Sequence, residues 1–116
     1  MAHNAAVASR NDRSASNEGL LRDINDRIEE VSQESGESNG VFDFLCECGR
    51  ENCTEVVRLT IAEYECVRDD EAHFLIFPSH ETDDIEDVVV QDERYSVVRK
   101  HPDEAAVAQE TDPRRN

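Results

Sequence analysis

The sequence predicts an α+β fold: an N-terminal amphipathic helix, then a small, mainly antiparallel sheet with one further helix and a cysteine-rich loop. Three observations carry that prediction. Apolar residues recur at helical spacing over residues 17–33. Short apolar runs bounded by turn residues follow between 41 and 98. Between two of those runs, Thr60 and Glu63 stand three apart ahead of a helical pattern, the signature of a capping box.

Residues 1–16 are small and polar without periodicity, so they read as a disordered arm. Ser16 and Asn17 can cap the helix over 17–33, in which Leu20, Ile24, Ile28 and Val31 form one apolar stripe, widened by Leu21. Docking of that stripe on the chain's own core is expected, because an isolated helix of this length is marginal in water. Arg22 and Asp26 are expected on its exposed side. SQESGESNG, residues 32–40, is a linker by composition. Residues 41–45 have strand character, and residues 55–59 read as a second strand. A helix then starts at Thr60, buries Ile61, Tyr64 and Val67, and ends near Asp70. The run 74–77 stops at Pro78, as a buried strand would. Residues 87–90 and 95–98 flank a four-residue connection, the pattern of a hairpin. Pro102 and Asp103 can start a short helix through Ala108, with a frayed end. The domain map is thus an arm over 1–16, helix and linker over 17–36, a compact α+β domain over 37–101, and a short helix or disordered tail over 102–116.

The chain has 116 residues, room for one domain. Its core rests on Phe42, Phe44, Leu59, Tyr64, Phe74, Ile76, Phe77, Val88, Val90 and Val97. A core of that size often needs a staple, because apolar burial barely offsets chain entropy. The 28 acids and 12 bases give a net charge of -16. Residues 37–100 alone carry 17 acids against 6 bases, a net -11. Such a surface repels phosphate backbones and anionic membranes, so neither nucleic acid nor a membrane is expected as a partner. It keeps a protein soluble and would suit a basic partner, an acidic nucleic-acid mimic being the rarer case. No apolar run is long enough to span a bilayer, and the N-terminus shows no signal-peptide core, so a cytoplasmic setting is expected.

Cys46, Cys48 and Cys53 lie within eight residues. Thiolates suit a borderline-soft ion such as Zn²⁺, whose closed sites take four ligands in a tetrahedron. Two residues apart at a strand end, Cys46 and Cys48 point the same way, and Gly49 permits the turn that returns Cys53 to them. The fourth ligand is His80 or Cys66. Cys66 points away from the core face of its own helix. His80 follows Pro78-Ser79 at a strand end, and would lie near the cysteines if the first and third strands are sheet neighbours. The expected set is therefore Cys46, Cys48, Cys53 and His80, holding a structural Zn²⁺. His73 stands at the far end of its strand, and His3 and His101 lie in the terminal segments. Glu47, Glu51 and Glu55 surround the cysteines with Arg50 as the only base of the loop, so free thiols there should have raised pKa values. A divalent cation would reverse that logic.

The stretch Phe44-Leu45-Cys46-Glu47-Cys48, with Cys53, Leu59-Thr60-Ile61-Ala62-Glu63-Tyr64-Glu65, Pro78-Ser79-His80-Glu81 and Tyr95-Ser96-Val97-Val98-Arg99-Lys100, resembles a group of small acidic actinobacterial proteins of unknown function. The resemblance covers roughly residues 17–100. It implies the same pattern of three cysteines and one histidine, and it implies no reaction.

The expected function is a small cytosolic zinc-stabilised binding or regulatory domain, meeting a protein partner through its acidic surface or the 17–33 helix. A thiol-based redox or metal sensor is the alternative. A metal-dependent enzyme is less favoured, since no phosphate loop, nucleophile elbow or metalloprotease motif is present and no catalytic residue is identified.

Overall fold

The computed structural model describes the backbone of residues 2–34, 40–50 and 52–114, with side chains from Asn17 onward. Helix α1 (Ala2–Glu34) leads into strand β1 (Val41–Leu45), then β2 (Val56–Thr60), α2 (Ile61–Arg68), β3 (His73–Ile76), β4 (Glu86–Gln91), β5 (Ser96–Lys100) and α3 (Pro102–Glu110). The α+β class and the order of elements match the expectation. Helix α1 is continuous from Ala2, where composition predicted an arm over 1–16. Of the linker expected over 32–40, residues 35–39 lie outside the described residues.

Among the described residues the strands form two antiparallel sheets rather than one. β1 pairs with β2, from Val41↔Thr60 to Leu45↔Val56. The second sheet has the order β3-β5-β4. The first and third strands are therefore not ladder neighbours, which corrects the premise used to place His80. They still meet at one point, where the Glu47 amide, just beyond β1, donates to the Leu75 carbonyl at 2.7 Å. The chain leaves the β1–β2 ladder at Cys46, so the contact does not extend into a common sheet.

The capping box forms as read: the Glu63 amide donates to Thr60 Oγ1, and the Thr60 amide donates to the Glu63 carboxylate. The core joins Phe44, Val57, Leu59, Tyr64, Val67, Phe74, Leu75, Ile76, Val97 and Val98. Phe44 and Tyr64 stack with centroids 4.5 Å apart. Phe42, Phe77 and Val88 are partly buried against this cluster. Val90 is exposed, contrary to expectation, because the β4–β5 register shifts between Val88 and Val90 and breaks the in–out alternation of β4.

Helix α1 packs on the core with the opposite chemistry from that expected. Its buried residues are Glu18, Arg22, Asn25 and Glu29, whereas Leu20, Ile24 and Val31 are 58%, 37% and 55% exposed and Ile28 is half-buried. Arg22 is fully buried. It donates to the Glu71 and Ala108 carbonyls at 2.8 and 2.6 Å and lies 4.2 Å over the Phe74 ring. Asp26 accepts from Arg68 and Arg114 rather than pairing with Arg22 on an exposed face. Lys100 bonds the carboxylates of Glu18 and Glu86 beneath the same helix. Hydrogen bonds to specific partners thus fix which face docks, overriding the hydrophobic stripe. The C-terminal segment is held as well. Asp112 is buried and accepts from Arg68, and Arg114 reaches Asp26, Glu29 and Glu65, where a frayed end was expected.

Candidate metal centre

Two loops supply the centre. In the first, the chain leaves β1 through Cys46, Glu47 and Cys48. Gly49 then adopts φ 79°, a left-handed conformation that L side chains rarely take. Arg50 to Cys53 closes a turn, the Cys53 amide donating to the Arg50 carbonyl at 3.2 Å. In the second loop, Phe77-Pro78-Ser79-His80 forms a tight turn, with the His80 amide donating to the Phe77 carbonyl at 3.0 Å. Pro78 occupies its second position and Ser79 its third with φ 76°, the arrangement of a type II turn in which glycine is usual. This turn reverses the chain immediately after β3 and aims the imidazole at the first loop.

The ligand atoms of Cys46, Cys48, Cys53 and His80 all lie within 4.8 Å of one another, close enough to hold a metal ion. His80 Nδ1 is 3.6 Å from Cys46 Sγ and 3.5 Å from Cys53 Sγ. Cys46 and Cys48 are buried, and Cys53 and His80 are half-buried. The Phe77 amide donates to Cys46 Sγ at 3.1 Å, the kind of bond that favours a thiolate. The Phe77 ring packs on the imidazole with centroids 5.3 Å apart. Arg50 donates to the His80 carbonyl at 3.3 Å and ties the two loops together.

The alternative ligands lie elsewhere. Cys66 is exposed on α2. His73 sits at the start of β3 beside Asp70, at 3.7 Å. His101 precedes α3 and faces Asp87 at 3.3 Å. The side chain of His3 lies outside the described residues.

The electrostatics are more particular than a uniform acidic field. The Cys46 thiol is pushed well above its usual range, first by its hydrogen bond with Cys48 and then by burial. Cys48 is drawn down to about 4, chiefly by that same bond. The shared hydrogen bond thus couples the two groups, raising one and lowering the other. Burial also raises Cys53. Cys46 and Cys53 follow the expectation of raised values, and Cys48 departs from it. Glu47 does not face the sulfurs at all. Its carboxylate is fully buried on the other side of the strand, which raises its pKa. Glu55 is exposed, and Glu51 lies outside the described residues.

Sequence reasoning missed the residues that hold this loop in place. Glu47 accepts from Asn25 Nδ2 at 2.7 Å, the Tyr64 hydroxyl at 3.2 Å and the Leu75 amide at 2.9 Å. Asn25 also bonds the Leu45 backbone twice, accepting from its amide at 2.8 Å and donating to its carbonyl at 2.9 Å. Asn17 donates to the Gly49 carbonyl at 3.2 Å. Residues 45, 47 and 49 thus meet α1, while Cys46 and Cys48 face the cluster. Two-residue alternation along an extended strip was the signal that could have shown this.

Comparison with protein-family models, with curated proteins and with solved structures finds no match, so the resemblance to small actinobacterial proteins adds no function to this geometry. Among the described residues, no helix is long and apolar enough to cross a membrane.

Proposed function

We propose that the chain is a small zinc-stabilised binding or regulatory domain with an acidic surface, working in a reducing, cytoplasmic setting. The observation that carries this reading is the convergence of three thiols and an imidazole from two loops. Zn–S distances near 2.3 Å and Zn–N distances near 2.0–2.1 Å put sulfur and nitrogen about 3.6 Å apart on the edge of a tetrahedron. The observed 3.5 and 3.6 Å separations agree with that edge. Three sulfurs favour zinc over magnesium or calcium, which prefer oxygen. Four protein donors leave no position for a metal-bound water, which favours a structural role over hydrolysis.

Elemental analysis of the purified protein tests the reading. One zinc per chain is expected, and it should be lost together with thermal stability in Cys48→Ser and His80→Ala. A metal-free protein that melts at the same temperature as the native preparation overturns it. One observation favours a second reading, a thiol-based sensor: Cys53 is partly open to solvent and within reach of two further sulfurs. Peroxide would then take two electrons from a pair of these thiols, forming a disulfide and water and releasing the metal. Full metal retention after peroxide treatment rules that reading out.

A further inference from the structure

We propose that the outward face of α1 is a docking surface for a basic amphipathic helix of another protein. An exposed apolar residue is ordinary, but a contiguous stripe on a helix that buries its polar side is not. Leu20, Ile24 and Val31 share one face, with half-buried Ile28 at its inner margin. At about 100° per residue this face lies about 140° around the helix from Arg22, Asn25 and Glu29. Those three are committed to Glu71, Ala108, Leu45, Glu47 and Arg114. The helix therefore cannot roll its apolar side inward without breaking buried bonds. A groove runs along the stripe, lined by Asp23, Ile24, Arg27, Ile28, Val31 and Ser32. The groove takes in the Asp23–Ser32 part of the stripe, and the stripe itself, from Leu20 to Val31, extends about 17 Å, three helical turns, which is the length a single partner helix of three to four turns would cover.

Charge selects the occupant. Asp23, Glu30 and Glu34 follow one another along the solvent side of the stripe and are exposed, with Arg27 as the only base among them. Arg27 already faces Glu30 at 3.9 Å. A partner helix with an apolar stripe flanked by Lys or Arg meets both the groove and its rim. Two copies of this chain packed antiparallel would set the same acidic rim against itself, with -16 on each copy. A second copy is thus the poorer occupant.

The proposal names the partner chemistry of the binding role and does not depend on the metal. The test uses the full-length protein and a synthetic helical peptide with a leucine stripe flanked by lysines. A peptide of the same stripe flanked by glutamates serves as control. Binding is followed by fluorescence anisotropy, and the zinc content of each variant is measured alongside, so a failed metal site and a failed surface give different results. The lysine peptide should bind, and more weakly as salt rises from about 50 to about 300 mM. The combined variant Leu20→Ser, Ile24→Ser, Val31→Ser should weaken binding by more than about tenfold. Arg27→Glu should tighten it roughly threefold. Equal binding by parent and triple-serine protein would show charge attraction alone and overturn the proposal. So would equal binding of the glutamate peptide, or a parent dimer in sedimentation that the serine substitutions dissociate.

Discussion

Glu47 turns its carboxylate away from the two cysteines that flank it, and that single reversal decides what a change near the site will do. Asn25 is its principal partner on α1 and also bonds both backbone groups of Leu45. Asn25→Ala removes one of the three donors to the buried Glu47 carboxylate and both side-chain bonds to the Leu45 backbone, and should cost about 2–3 kcal/mol in denaturant unfolding. Ser79 carries φ 76° without being glycine, so Ser79→Gly should be stabilising by about 0.5–1 kcal/mol, seen as a higher melting temperature. Glu29 gives a prediction in pH. Burial first and then the Glu65 carboxylate raise its pKa to about 7 in the fold, above an ordinary value of 4.5. The unfolded chain therefore releases this proton first, and stability falls as pH rises from about 4.5 to about 7. Glu18 shifts the same way, burial outweighing the nearby Lys100. Glu29→Gln should be less stabilised by acid than the parent over that interval, in unfolding measured at pH 5 and pH 7. The three cysteines were legible in the sequence because thiols are scarce and these lie within eight residues, whereas His80 was singled out through a pairing of the first and third strands that the fold does not contain. Glu47 and Asn25 were not, because one acid among 28 and one amide among several carry no signal until the fold pairs them.

At the scale of elements, local chemistry was the readable part. The capping box at Thr60 and Glu63, the hairpin between β4 and β5 and the stop at Pro78 each depend on neighbours a few residues away. The face of α1 was not readable, because its partners lie far along the chain: Arg22 bonds Ala108, 86 residues on, and Asn17 bonds Gly49, 32 residues on. A hydrophobic-stripe argument assumes that apolar contact decides the docking face, and here buried hydrogen bonds and ion pairs decide it. The consequence can be measured. Leu20→Ser, Ile24→Ser and Val31→Ser should each change unfolding free energy by no more than about 0.5 kcal/mol, the usual range for exposed sites. Arg22→Ala should cost about 3 kcal/mol, because it empties a buried volume over Phe74 and strands two carbonyls. The opposite ranking would mean that the apolar face packs inward in solution. Splitting of the strands into two sheets was equally hidden, since each strand is apolar enough for either arrangement.

For the molecule as a whole, the strip 45–49 is held from both sides. Its even residues face the candidate metal centre and its odd residues are bound by α1. If the proposed metal is bound there, its chelation should raise amide hydrogen exchange within α1 around residues 20–30, far from any candidate ligand, while the β4–β5 hairpin keeps its protection. By linkage, Asn25→Ala should weaken metal affinity although Asn25 touches no metal ligand. Cys66 has a separate consequence. Three of the four cysteines converge on one point, and the fourth stands alone in the open on α2. A coloured thiol reagent added to the native protein would then count occupancy directly: one fast equivalent when the centre is filled, and up to four when it is stripped. The chain carries its own internal reference for such a titration, so the fraction of loaded molecules in any preparation can be read as a ratio of two amplitudes, without knowing the protein concentration.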